Sequence, residues 1–231
     1  MRQRIISITI IIAVIGGLFA LFVYNAINGS AIDTTVWNEQ MTIGDIKTAK
    51  YHYTMYTDIF CPYCDKFSDA LMTHWDEFQS EYIEGKGIFF EVRITDMNYL
   101  SGHSNNSRPA GEGAYCAAKQ GKFWDYYNLA VTSIWNDYFK SSGKAAFSRM
   151  SSIGKDYWIN IGKQIGLNED FENCVENEET LAEIKTNAEK TAKLANGMPY
   201  FKFNDYTSSG FDLSWGYDYV MMYFQAGLES K

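Results

Sequence analysis

The stretch from Tyr51 to Lys66, YHYTMYTDIFCPYCDK, constrains this chain more than any other. Its first seven residues are aromatic and β-prone and read as a strand. Two cysteines two residues apart then open a helix in which Phe67, Leu71, Trp75, Phe78 and Tyr82 recur at intervals of three and four, forming one apolar face. EGKG ends that helix, and IFFEVRIT, Ile88 to Thr95, reads as a second strand. A strand, a crossover helix and a strand make a βαβ unit, so the two strands are expected to be parallel and the fold class to be α/β.

Beyond residue 104 the strand signal stops. AGEGAYCAAKQGKFWDYYNLAV, GKDYWINIGKQIGL, NEDFENCVEN and EETLAEIKTNAEKTAKLA each read as helix, so a helical block over 104–196 is inserted into a sheet domain. NGMPYFKFN then turns into a strand, Ser208 to Gly210 reads as a turn, and an aromatic helix runs from about Gly216 to Leu228. The expected organisation is an anchor or signal segment at 1–30, a first sheet portion at 31–103, the helical block at 104–196 and a second sheet portion at 197–231.

The first thirty residues differ from the rest. Arg2 and Arg4 precede an unbroken apolar run from Ile5 to Tyr24, about 20 residues and about 30 Å as a helix, the thickness of a bilayer core. No lysine or arginine follows until Lys47, which sets the basic flank inside and the domain outside. The expectation is a single-pass anchor; the alternative is a signal peptide cleaved near Gly29 and Ala31. Both export the domain. Without Arg2 and Arg4 the 20 bases become 18 against 28 acids, a net charge of −10, which argues against nucleic acid as a partner.

Four cysteines, Cys61, Cys64, Cys116 and Cys174, therefore lie where disulfides persist. Zinc commonly takes two Cys-x-x-Cys pairs or one pair with two close histidines. Cys116 and Cys174 stand alone, and His52, His74 and His103 show no ligand spacing, so no metal set is predicted. Two soft thiolates alone leave Cu(I) carriage as an alternative. A static bridge across two residues would remove little chain entropy. At a helix N-terminus the pair has a chemical use instead, because the first-turn N–H groups favour a thiolate at Cys61 and lower its pKa. Pro62 suits the first helical position, where the N–H would be unpaired anyway. Pro199 begins a strand, where a cis Met198–Pro199 bond at a tight turn is one account and a helix stop the other.

Together, TDIFCPYCDKF, YCAAKQGKFWDYYNLAV, FENCVEN and NGMPYF, in this order, resemble the DsbA-type thiol:disulfide oxidoreductases of bacteria, over about residues 45 to 228. The resemblance implies a thioredoxin fold, a central mixed β-sheet flanked by helices, with an inserted helical domain. It implies Cys61 as the exposed attacking sulfur and Cys64 as the buried resolving sulfur. Pro199 would be a cis-proline facing them, with Pro62, Tyr63 and Met198 completing the active-site loop. SGHSNNSRPAGEGAYCA is similar to the family's lead into its first inserted helix, which makes His103 a family position without a catalytic role.

Two departures bear on function. Pro-Tyr stands between the cysteines where the strong oxidant has Pro-His, so one donor to the thiolate is missing and a milder oxidant is expected. Met198 stands where Thr or Val is usual. Cys116 and Cys174 match positions that form a second disulfide in one branch of the family; two buried free thiols are the other reading. Such a bridge would contribute roughly 4 kcal/mol in the chain-entropy model. Asp58, three residues before Cys61, is either a proton acceptor for Cys64 or a solvated turn residue. No organic cofactor or metal is needed. The implied partners are cysteine-containing exported clients and a quinone-linked membrane protein of the DsbB or vitamin K epoxide reductase type. A reductase or isomerase, or a non-enzymatic Cu(I)-binding module, are the alternatives.

Overall fold

The structure, a computed structural model, describes residues 35–141, 152–204 and 206–230. Among these residues five strands, β1 (Thr42–Ile43), β2 (Tyr51–Thr57), β3 (Ile88–Ile94), β4 (Tyr200–Phe203) and β5 (Tyr206–Ser209), lie in the order β1-β3-β2-β4-β5. β2 and β3 are parallel from Tyr51 opposite Ile88 to Thr57 opposite Ile94, and every other pairing is antiparallel. The crossover is α1 (Pro62–Thr73) followed by α2 (Trp75–Phe78), which continues as a π turn over Gln79–Glu84.

A single helix from the cysteines to EGKG was expected, and the structure breaks it at His74, whose φ and ψ are −116° and 30°. The break lets Trp75 reach Trp124 at 4.7 Å and Phe78 reach Phe90 at 5.6 Å between ring centroids. The Ser208 to Gly210 turn also needs correction, because Tyr206–Ser209 is an edge strand. An edge strand pairs through its backbone and needs no alternating pattern to do so.

β3 is buried throughout despite carrying Glu91 and Arg93. Buried charges persist when paired and hydrogen-bonded. Here Arg93 meets Glu91 at 2.7 Å and donates to the Tyr56 hydroxyl at 2.8 Å. Glu91 also accepts the Trp37 N–H at 2.7 Å, and the guanidinium lies 4.4 Å from the Trp37 ring centroid. The polar lead-in before β1 is thus tied to the centre of the sheet.

The inserted helices are α3 (Met97–Leu100), α4 (Ser107–Lys119), α5 (Phe123–Ile134, continued as a π turn over Trp135–Phe139), α6 (Lys155–Gln164), α7 (Glu169–Glu176) and α8 (Leu181–Ala192). The run read as one helix from residue 110 splits into α4 and α5 at Gly121, whose φ of +68° a glycine adopts without strain. α9 (Tyr217–Glu229) closes the chain against α1 and β4, and Gly227 lets it come close to Phe203. The Tyr53 hydroxyl donates to the Phe224 carbonyl at 2.6 Å, fastening α9 to β2. Sheet residues such as Tyr53 and Phe90 share one buried cluster with Tyr126, Trp158 and Phe171 of the inserted helices.

The expected apolar anchor at 5–24 lies outside the described residues. Among the described residues no helix is long and apolar enough to cross a membrane.

Candidate active site

Parallel pairing aims the C-terminal ends of β2 and β3 the same way, and α1 starts just beyond β2. Asp58 to Cys61 make the turn between them, with the Cys61 N–H donating to the Asp58 carbonyl at 3.1 Å. Cys61 is the N-cap of α1 in extended conformation, Pro62 takes the first helical position, and Cys64 lies one turn inside.

Both thiols are free, and their environments push them apart. Cys61 is drawn below its ordinary pKa, first by the Cys64 S–H that donates to it, then by the Cys64 and Tyr63 backbone N–H groups, against the opposing effects of burial and of Asp58. Burial drives Cys64 well above its ordinary value, and its bond to Cys61 adds to the effect. The rise follows from complete burial, since a charge there has no hydration to keep.

Exposure also differs from expectation. Cys64 is fully buried, but Cys61, expected to be exposed, shows only 6% of its surface. The inserted block crowds the mouth: Phe139 packs on Phe60 at 5.3 Å, and Lys66 lies 4.9 Å from the Trp135 ring centroid. The order of access between the two sulfurs is retained.

The strand register brings in the second piece of the site. β4 begins at Tyr200, opposite Tyr56, so Pro199 falls at the end of the sheet from which the cysteine turn leaves. The Met198–Pro199 peptide is cis, and the Pro199 carbonyl accepts the Gly210 N–H at 2.8 Å. Pro199 is buried, whereas Met198 and Tyr63 are half-buried.

Asp58 is fully buried, which removes the solvated-turn reading. One carboxylate oxygen accepts the Phe60 N–H at 2.9 Å and the other accepts both the backbone N–H and the side-chain amide of Asn98 at 2.9 Å. Burial outweighs these donors and raises its pKa to about 7, with Asp96 adding to the rise. His103 sits in an exposed loop, hydrogen-bonded to Ser101 at 2.7 Å, outside the site. Cys116 on α4 and Cys174 on α7 are joined by a disulfide, with their Cα atoms 5.8 Å apart.

Two participants escaped the sequence reading. Asn98, which holds Asp58, gives no local signal because it lies 40 residues away. Asp65 is fully buried beside Cys64. Helical spacing could have found it, since position 65 shares the face of Cys61 one turn on.

A family model described as thioredoxin matches residues 37–209. A comparison with curated proteins found no match. Among solved structures, oxidised BdbD from Bacillus subtilis aligns with TM-score 0.60 at 15% identity, covering 83% of this chain and 94% of that one. DsbA from Chlamydia trachomatis aligns with TM-score 0.56 at 14% identity, covering 87% and 98%. Reduced DsbA from Mycobacterium tuberculosis gives TM-score 0.56 at 11% identity, covering 82% and 92%. At these identities the likeness is one of fold, and that fold is the thioredoxin arrangement with a helical insertion.

Proposed function

The chain belongs to the thioredoxin family, and from that membership and the paired thiols at the head of α1 we propose that it is a thiol:disulfide oxidoreductase of the DsbA type. The observation that carries the reading is the placement of the two free thiols, Cys61 at the N-cap of α1 and Cys64 one turn inside and fully buried. Cys61 is favoured as thiolate and Cys64 as thiol. That asymmetry suits one sulfur for attack and departure and the other for closing the ring.

In the oxidising direction a client thiolate attacks the Cys61–Cys64 disulfide at Cys61, forming a mixed disulfide and releasing Cys64 with the electron pair. The client's second thiolate then attacks the client sulfur of that bond, and Cys61 leaves as thiolate. Cys64 needs a proton as it is released. Asp58, buried next to the pair and carrying a proton near neutrality, would supply it. Pro62, Tyr63, Met198 and Pro199 would line the approach of the client. Burial and Asp58 both oppose a thiolate at Cys61, which supports a milder oxidant than one with a histidine donor between its cysteines.

Export through the apolar segment at 5–24 places this chemistry outside the cytoplasm, on cysteine-containing client proteins. A quinone-linked membrane partner of the DsbB or vitamin K epoxide reductase type would restore the disulfide. Cys116–Cys174 then serves stability and stays out of the exchange.

The test is trapping. Cys64→Ser is expected to accumulate mixed disulfides with exported proteins, because nothing in the chain resolves them, whereas Cys61→Ser traps few or none. Tight Cu(I) binding by the reduced pair, with no client trapped by either variant, would transfer the assignment to a metal-binding module. A strongly reducing potential would reverse the direction of net exchange.

A further inference from the structure

Asp65 follows Cys64 on α1 and stands four residues after Cys61, whose carbonyl accepts the Asp65 N–H at 2.8 Å. Its surface is 1% exposed, and among the described residues neither carboxylate oxygen has a hydrogen-bond partner. This distinguishes it from Asp58, whose oxygens take three donors. A buried carboxylate without donors is costly, and costlier still beside a Cys61 thiolate, so in the reduced protein the group is stable as the neutral acid.

Among the described residues, the groups around it do not relieve that cost. On its own helix it faces Cys61 one turn before and the half-buried Asp69 one turn after, both negative when ionised. Lys66 and Lys140 act on Asp69 and not on Asp65. From α5 it is faced by Tyr127, whose hydroxyl is 2.5 Å from that of Ser68. From α6 it is faced by Tyr157, which donates to Asp137 at 3.0 Å. Two anions one helical turn apart in a dry interior repel strongly, so a thiolate at Cys61 and a carboxylate at Asp65 exclude one another.

We propose that Asp65 is the second proton store of the redox pair: it is protonated while Cys61 is a thiolate and gives that proton up when the Cys61–Cys64 disulfide forms. The inference rests on the oxidoreductase reading above. The balance closes in either direction. A client dithiol that becomes a disulfide loses two electrons and two protons. The electron pair breaks the Cys61–Cys64 bond, one proton settles on Cys64 and the other on Asp65, and Cys61 is left as thiolate. Asp65 thereby acts through Cys61, as a positioning residue for charge, and makes the redox equilibrium steeper in pH than the sulfurs alone would.

The experiment is the equilibrium of the 61–64 pair with glutathione, measured from pH 5 to 9 on the intact protein and on Asp65→Asn and Asp65→Glu. Loss of one proton from the couple should make the Asp65→Asn equilibrium constant change tenfold less per pH unit, about 30 mV, over part of that range. Asp65→Asn should also be reduced at least tenfold more readily at the alkaline end. Asp65→Glu should retain the steep profile. Parallel profiles for the parent protein and Asp65→Asn would overturn the role of Asp65 and leave the oxidoreductase standing. A parent pair that does not exchange with glutathione at all would overturn the oxidoreductase reading and this proposal with it. Should the variants fail to fold, redox-difference infrared spectra of the parent protein decide. A protonated-carboxyl band growing on reduction, at the high frequency of a carbonyl without hydrogen bonds, supports the proposal, and its absence refutes it.

Discussion

At the scale of single residues, the site is a contest over one negative charge. The Cys64 S–H and two backbone N–H groups stabilise a thiolate at Cys61, while burial and Asp58 oppose it. Tyr63, half-buried between the two cysteines, contributes its backbone N–H and no side-chain donor to that balance. A histidine at that position would add one. Tyr63→His is therefore expected to lower the Cys61 pKa and to make the pair more oxidising. A hydrogen bond to a charged group is worth about 1.5–3 kcal/mol, so the equilibrium constant with glutathione should move by roughly tenfold or more toward the reduced enzyme. Thiolate absorbance titrated against pH, together with the glutathione equilibrium, checks both parts. An unchanged potential would mean that the side chain at 63 points away from the sulfur.

Among the elements, α1 carries the chemistry because it is held on two sides, by α9 and by α5. Phe67 on α1 meets Phe201 of β4 at 4.7 Å, while Ser68 meets Tyr127 of α5. The inserted helices are fastened to one another by Cys116–Cys174, which closes a loop of sequence separation 58. Removing that constraint frees the unfolded chain by about 4 kcal/mol in the chain-entropy model. For a chain of this size that corresponds to roughly 8–16 °C in Tm. The double variant Cys116→Ala with Cys174→Ala should show that loss in thermal or urea unfolding while client exchange at Cys61 proceeds at the parental rate. Lost exchange in a folded double variant would instead give the bridge a part in the redox cycle.

For the molecule as a whole, buried carboxyls shape stability against pH in two opposed ways. Asp58 titrates near 7 in the folded chain against 3.8 ordinarily. The folded state thus binds a proton that the unfolded chain has released, and its contribution is present below about pH 4 and is lost as pH rises toward 7. The amount is up to about 4 kcal/mol. Asp65, also raised by burial, acts with the same sign. Glu91 acts oppositely. Burial raises it, but hydrogen bonds from His52, Arg93 and the Trp37 N–H prevail and hold it below its ordinary value. Its contribution is present above its unfolded pKa and is lost as pH falls through the lower folded one. Stability of the reduced protein is expected to peak on the acid side of neutrality and to decline toward pH 8. Asp58→Asn should flatten that decline. Urea midpoints across pH 4–8 measure it, and a slope unaltered in Asp58→Asn would place the titrating groups elsewhere.

What the sequence determined by itself was local. The β-prone run before Cys61, the three- and four-residue spacing from Phe67 to Tyr82, and the glycine breaks each depend on neighbours within a few positions. They suffice for a βαβ unit, a helical block and a cysteine pair at a helix head. The resemblance carried by four short motifs added the connection to a family. Only the tertiary structure decided whether a charge keeps its water. Asp58, read as a proton acceptor or a solvated turn residue, is buried against Asn98 of α3, and Asp65, which drew no reading, is buried because α5 and its π turn come from far along the chain to cover α1. The same holds for Cys61, whose 6% exposure depends on packing that no local pattern encodes. The β5 edge is likewise defined by its partner β4 and not by its own composition. Burial is a property of contacts distant in sequence, and in this site burial, more than residue type, sets which sulfur and which carboxyl hold a proton.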